Sequence, residues 1–255
     1  MTHPIIPDFL QPFRAELERH ALESIKATAR PRPTPGPPSA ASKFRGLPLL
    51  PLSMAYPRQQ NGTPLLLLAQ INLAELPANT LLPAAGLLQF YIPAQDWYDM
   101  EEAQVRYIGP EHLGAEYQQD FSFLPANHDE ESPINCEHDL TFEATLEYGG
   151  LDDERFALNF NGLNGYDFEE TLPEKDKEAF SKLLSGAGHK IGGYAYFTQG
   201  DPHAYSKGAA EVQLLQIDID EQIMFGDSGV AHFFITEEAL KNREFDKAYF
   251  YWDCC

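Results

Sequence analysis

Residues 68–72 read LAQIN and residues 214–218 read LLQID. Each is an apolar run that ends in Gln, one apolar residue, then Asn or Asp, and the two lie 146 positions apart. Their flanks repeat in the same order. Lys43-Phe44-Arg45-Gly46 matches Lys190-Ile191-Gly192-Gly193 at an offset of 147, and GLLQFYI (86–92) matches GVAHFFI (229–235) at 143. One match would be noise, whereas three collinear matches at nearly constant offset argue for an internal duplication, with copies at about 43–96 and 190–240. Short apolar runs broken by Gly, Pro and Asn read as strands.

Working outward, Phe9, Phe13, Leu17, Ala21 and Ile25 recur every four residues and predict an N-terminal helix. It gives way to a Pro-rich connector, PRPTPGPPSAAS (31–42), where Pro and Gly forbid helix. A second helix is predicted over Thr171–Leu184, with Thr before a Pro-Glu first turn and Gly186 just past the end. Between the copies, residues 97–170 have no internal counterpart. Leu140, Phe142, Ala144, Leu146 and Tyr148 alternate with polar residues, which predicts an antiparallel strand with one wet face. Residues 155–160 read as its neighbour after a turn at Gly149-Gly150. The fold class is therefore α+β: twisted, mainly antiparallel sheets from two copies, with a few helices. Residues 1–42 stand before a domain of 43–255.

Charge is the dominant global property. The chain carries 39 acids against 18 bases, a balance of −21. Residues 1–42 hold five bases and four acids, so the remainder holds 13 and 35. Such a surface repels phosphate backbones and anionic membranes and attracts basic proteins. No apolar run approaches the ~20 residues needed to span a bilayer. The start, MTHPIIPDFLQPF, lacks a basic segment followed by an apolar one, so no signal peptide is expected. Three cysteines without an export signal point to free thiols and a cytoplasmic location.

No motif with complete catalytic partners is present. Gly226-Asp227-Ser228-Gly229 has the look of a serine-protease nucleophile loop. However, the other copy carries Ala84-Ala85 where this one has Asp227-Ser228, so the position needs no hydroxyl. The tetrapeptide reads as a hairpin turn, with Gly supplying positive φ. His128, Cys136 and His138 are zinc-compatible ligand types without a standard ligand spacing, and a solvated acidic loop accounts for them. Cys254-Cys255 lacks the CxxC spacing of a redox pair and reads as packing at a strand end. No phosphate-binding glycine loop occurs. These observations assign no catalytic residue, no metal site and no cofactor.

The remaining candidates are Gln70, Asn72, Gln216 and Asp218. Residues two apart on a strand share a face, so each Gln with its Asn or Asp lines a ligand cleft or, alternatively, hydrogen-bonds a neighbouring loop.

The combination KFRGLPLLP, LLLLAQINLAELP, GLLQFYI, HKIGGYAYFTQGDP, LLQIDID, FGDSGVAHFFI and the terminal YWDCC resembles the YwqG family over residues 43–255. Met224-Phe225 stands where similar sequences more often carry Trp before Gly-Asp. The resemblance implies a bacterial domain of unknown function, an α+β fold with an internal duplication, and no assigned catalytic residues. Some members lie near polymorphic-toxin genes, which implies an immunity or accessory role. Three functions remain open: a protein-binding module that masks a basic partner, a small-molecule or glycan binder using a cleft between the copies, and a hydrolase or metalloenzyme.

Overall fold

The computed structural model describes residues 1–203 and 211–254. A short 3₁₀ turn (Asp8–Phe13) and helix α1 (Arg14–Arg19) lead into ten strands: β1 (Leu22–Arg32), β2 (Lys43–Phe44), β3 (Leu66–Asn72), β4 (Leu87–Ile92), β5 (Gln104–Ile108), β6 (Glu137–Glu147), β7 (Lys190–Gly192), β8 (Glu211–Ile217), β9 (Val230–Thr236) and β10 (Tyr249–Asp253). Helices α2 (Gly165–Thr171) and α3 (Glu174–Leu184) fall between β6 and β7, and α4 (Glu237–Lys241) follows β9.

Among the described residues these ten strands form one sheet in the order β10-β9-β8-β7-β1-β6-β2-β3-β4-β5, with antiparallel neighbours throughout. The outer strands β5 and β10 touch, so the sheet curls into a nearly closed barrel with few helices around it. One core fills its inner face and takes Phe44, Ile71 and Phe90 from one side and Ile191, Ile217 and Phe233 from the other. Strands β4 and β9 are almost wholly buried on both faces, because loops cover the outside.

The order is the same from either end when β1–β5 and β6–β10 are taken as two sets, with β1 and β6 exchanged at the centre. Matching positions behave alike. Lys43 faces Gln70 and Lys190 faces Gln216. The β3–β4 register shifts between Leu67 and Ala69, and the β8–β9 register between Gln213 and Leu215.

Three local expectations are corrected. The helix through Ile25 stops at Arg19, and residues 22–32 are instead β1, a central strand paired with β6 over its whole length. Ile25 satisfies the helical spacing, but Ile25, Ala27 and Ala29 also alternate with Lys26, Thr28 and Arg30, and eleven residues of pairing outweigh one short helical stripe. Pro31 is tolerated because β7 reaches only Ser24–Lys26, which leaves that end of β1 open on one side. Residues 155–160 are not the neighbour of β6, whose partners are β1 and β2. Leu158 and Phe160 instead join Leu10, Phe13, Leu17, Phe180 and Leu184 in a second apolar cluster under α1 and α3. The helix predicted over Thr171–Leu184 begins at Glu174, after Pro173, while Thr171 closes α2. Its far end is as read: Gly186 takes φ +65° beyond α3.

Candidate functional site

Gln70 and Gln216 are fully buried. The Gln70 amide donates to the Ser39 and Ala41 carbonyls at 2.8 and 2.9 Å, and its oxygen accepts from Leu49 N at 2.9 Å and Gln89 Nε2 at 2.8 Å. Gln216 donates to Gly186 and Gly188 at 3.0 and 2.8 Å and accepts from Tyr196 N at 3.0 Å. Asn72 Oδ1 accepts from Ala74 N, and the Asp218 carboxylate accepts from Gly188 N and Ile219 N. Gln70 anchors loop 39–49, and Gln216 and Asp218 anchor loop 186–196, against the outer face of the sheet, whereas the Asn72 side chain caps its own 3₁₀ turn and only its backbone N reaches Ser42 Oγ. None of them lines the larger cleft that the second loop walls.

That cleft, of about 620 Å³, opens between the end of α1, the start of β1, Leu81 and the outer face of β8 and β9. Its floor is apolar: Leu22, Leu81, Tyr194, Phe197, Val212 and Phe234. Two ionic assemblies rigidify the walls. Arg155 grips Asp153 through Nε at 2.8 and 3.1 Å, donates to the Gly193 carbonyl at 2.9 Å, and lies over the Tyr194 ring. Asp153 in turn accepts from Ala195 N at 2.7 Å. His203 sits between Asp201 (Nδ1, 2.6 Å) and Glu211 (Nε2, 2.9 Å), and the Tyr249 hydroxyl donates to Glu211 at 2.6 Å. The bonds to Asp201 and Glu211 outweigh burial and raise the imidazole to about 9, so it is protonated at neutral pH. A protonated imidazole has no lone pair with which to act as a base.

Beneath the loop, Lys190 Nζ pairs with Glu147 Oε2 at 2.8 Å and bonds the Tyr194 carbonyl, while Tyr194 N donates to the same carboxylate at 2.8 Å. The matching Lys43 donates to the Leu47 carbonyl at 2.6 Å. Burial lowers the pKa of both lysines. Around the cleft, Glu23, Asp153, Glu154, Asp201, Glu211 and Glu237 face Arg19, Arg155 and protonated His203. The described wall is therefore negative.

A smaller cleft, about 480 Å³, lies on the other half beside Arg32, Arg45, Tyr56 and Glu137 and takes in His128 and Cys136. His138 is buried elsewhere, in β6 against Phe44, with Nδ1 at 2.8 Å from the Cys136 carbonyl. Among the described residues no group of three His, Cys, Asp or Glu has metal-holding geometry. Cys136 and Cys254 are free thiols, and Cys255 lies outside the described residues.

The Gly226–Gly229 tetrapeptide is a turn closed by Gly229 N on the Phe225 carbonyl at 2.9 Å, with Ser228 exposed. Positive φ falls on Gly226 (+61°) and Ser228 (+58°) rather than on Gly229. Gly229 is required for space, since a Cβ there would collide with the Asp253 and Phe225 carbonyl oxygens.

Sequence reading missed Arg155–Asp153 and the His203 assembly. The available signals were two acid-to-base spacings of two residues, DER at 153–155 and DPH at 201–203, which place both partners on one tight turn. No helix among the described residues is long and apolar enough to cross a membrane. No curated protein matches the chain. A family model described as a domain of unknown function, DUF1963, matches residues 42–254, which leaves the central strand β1 outside the matched span. The chain belongs to the DUF1963 family.

Proposed function

We propose that this protein is a cytoplasmic binding module that takes a basic segment of a protein partner and catalyses no reaction of its own. The observation that carries this reading is the larger cleft, whose apolar, aromatic floor is ringed by carboxylates in excess of its cations. An arginine or lysine side chain lays its alkyl stem on such a floor and its charge on the rim. Masking a basic toxin, the role implied by the YwqG resemblance, is the form of partner capture that this charge pattern serves. The same resemblance and the DUF1963 match are read here as one family. The matching strand positions, bulges and glutamine anchors support an origin by duplication, with 43–96 and 190–240 as the copies within a domain of 43–255. In this reading Gln216 and Asp218 shape the cleft by holding its 186–196 loop rather than touching ligand, while Gln70 and Asn72 serve the other half of the sheet. A small organic cation or glycan is the second reading, favoured by a volume within the range of small-molecule pockets, roughly 300–1,000 Å³.

The test is calorimetric titration with lysine- and arginine-containing peptides, set beside free arginine, spermidine and neutral oligosaccharides. Basic peptides should bind more tightly than their free cationic units, and the triple variant Glu23→Gln, Glu154→Gln, Glu237→Gln should bind them at least tenfold more weakly, about 1.4 kcal/mol. Tight binding of a free cation or sugar with no gain from a peptide would transfer the site to the small-molecule reading. Binding indifferent to the triple substitution would remove the cleft from either role.

A further inference from the structure

Three segments distant in sequence converge where β9 begins, at the opposite end of that strand from Phe234 and the cleft. They are residues 93–104, 127–137 and 218–229. Trp97 packs on Phe225 at 5.7 Å and on Trp252 at 4.8 Å between ring centroids. Trp252 Nε1 donates to the Tyr98 carbonyl at 3.2 Å. Met224 N donates to the Pro133 carbonyl at 2.9 Å, and Asn135 N to the Gln222 carbonyl at 2.8 Å. The three segments contain twelve Asp and Glu and no Lys or Arg. Glu137 and Asp218 are buried and bonded elsewhere, and Arg45 enters from outside to pair with Asp129, which leaves the face acidic by a wide margin. Tyr98 lies in the negative field of Asp96, Glu131 and Asp99.

The apolar content of this face is unusual for so acidic a surface. Tyr98 and Met224 are 55% and 53% exposed, Met100 is 38% exposed, and both indoles are only half-buried. Solubility explains the carboxylates but not a patch of aromatic and methionine side chains among them. Indole faces and carboxylates together suit one kind of ligand atom group, a guanidinium or ammonium carried on an apolar stem. The same charge repels nucleic acid and anionic lipid.

We propose that this face is a docking surface for an arginine- or lysine-rich segment of a protein partner, with a cationic side chain lying on the Trp97–Trp252 pair and its neighbours held by the surrounding acids. It shares the partner's charge with the cleft reading but stands on different residues, so either can fail alone. The turn that resembles a protease loop acquires a role here. Gly226 lies close enough to Trp252 and Cys254 that a Cβ would come within 2.9 Å of the indole, and the turn carries Asp227 at the rim.

Trp97 and Trp252 are the chain's only tryptophans, so tryptophan emission, excited selectively over tyrosine, reports this face alone. Titration of an oligo-arginine peptide should change that emission saturably, and the apparent Kd should rise about tenfold or more from low to physiological salt, as expected for an exposed charged contact. An oligo-glutamate or Gly-Ser peptide should leave the emission unchanged. The variant Tyr98→Ser, Glu131→Gln, Asp227→Asn keeps both reporters and touches no core residue, and it should weaken the response at least fivefold. The cleft triple variant should leave the response intact. Emission that ignores the arginine peptide, or responds equally to Gly-Ser, overturns the proposal. So does a response undiminished in the surface variant. A response lost only in the cleft variant overturns it too, while sparing the cleft reading.

Discussion

Replacing Lys190 with methionine isolates the pair that props up the cleft loop. Its side chain is 1% exposed, and the ammonium has two partners, the Glu147 carboxylate at 2.8 Å and the Tyr194 carbonyl. Burial pushes this lysine below its usual pKa while Glu147 acts the other way. Lys190→Met removes the counter-charge and leaves Glu147 with Tyr194 N as its partner. Breaking a buried pair from one side costs about 3–5 kcal/mol. Glu147 keeps 11% of its side chain in solvent, which places the expected loss near the lower end, about 3 kcal/mol. At about 2–4 °C per kcal/mol for a chain of this size, the melting temperature should fall by about 6–12 °C. Glu147→Gln should be destabilised similarly, with a different pH profile. Burial then acts on Lys190 with only the Asp153 charge against it and depresses its folded pKa further below the unfolded value near 10.4, so the unfolded state binds the extra proton and stability rises as pH climbs toward about 10. The double variant should lose less than the sum of the singles, because neither charge is stranded. Lys43→Met, at the matching position, forfeits one bond to a carbonyl and should cost about 1–2 kcal/mol. Urea and thermal melts followed by circular dichroism give all four values. Single variants within about 1 kcal/mol of the parent, or a strictly additive double, would refute the reasoning.

Two further substitutions probe the turn and the cleft wall. Ser228→Gly should stabilise by about 0.5–1 kcal/mol, because it relieves a left-handed serine, while Gly229→Val should lose more than about 2 kcal/mol to collision with two carbonyl oxygens. Chemical melts decide both, and a neutral Gly229→Val would show that the turn relaxes freely. His203, raised from 6.5 to about 9, contributes stability that is full below 6.5 and lost as pH climbs through 9. The shift corresponds to at most about 3.4 kcal/mol, which partial exposure reduces to about 1–2. His203→Gln should flatten the stability profile between pH 6.5 and 9, and an unchanged profile would mean that the imidazole is not charged there.

Amino-acid order alone determined the elements whose surroundings are uniform along their length. The buried runs of β3, β4, β8 and β9, the turn at Gly226–Gly229 and the excess of acid over base were all legible, because burial on one or both faces imposes a period that the residues themselves must carry. The wet face expected along β6 is confined to Thr141 and Glu143, because Thr145 is buried against the Thr2 carbonyl and Glu147 against Lys190. The matched glutamines were legible as a pair, since each ends the same apolar run followed two residues later by Asn or Asp. Tertiary structure alone decided that residues 22–32 are a central strand. Ile25 fits either period, and only the length of β6 opposite it breaks the tie. It also decided the sites. Lys190 and Glu147 are 43 positions apart, His203 and Tyr249 are 46 apart, and Trp97 and Trp252 are 155 apart. Each is an ordinary residue in its own neighbourhood. Its desolvation, charge and partner come from chain that the barrel's closure brings alongside, and a local pattern carries no record of that.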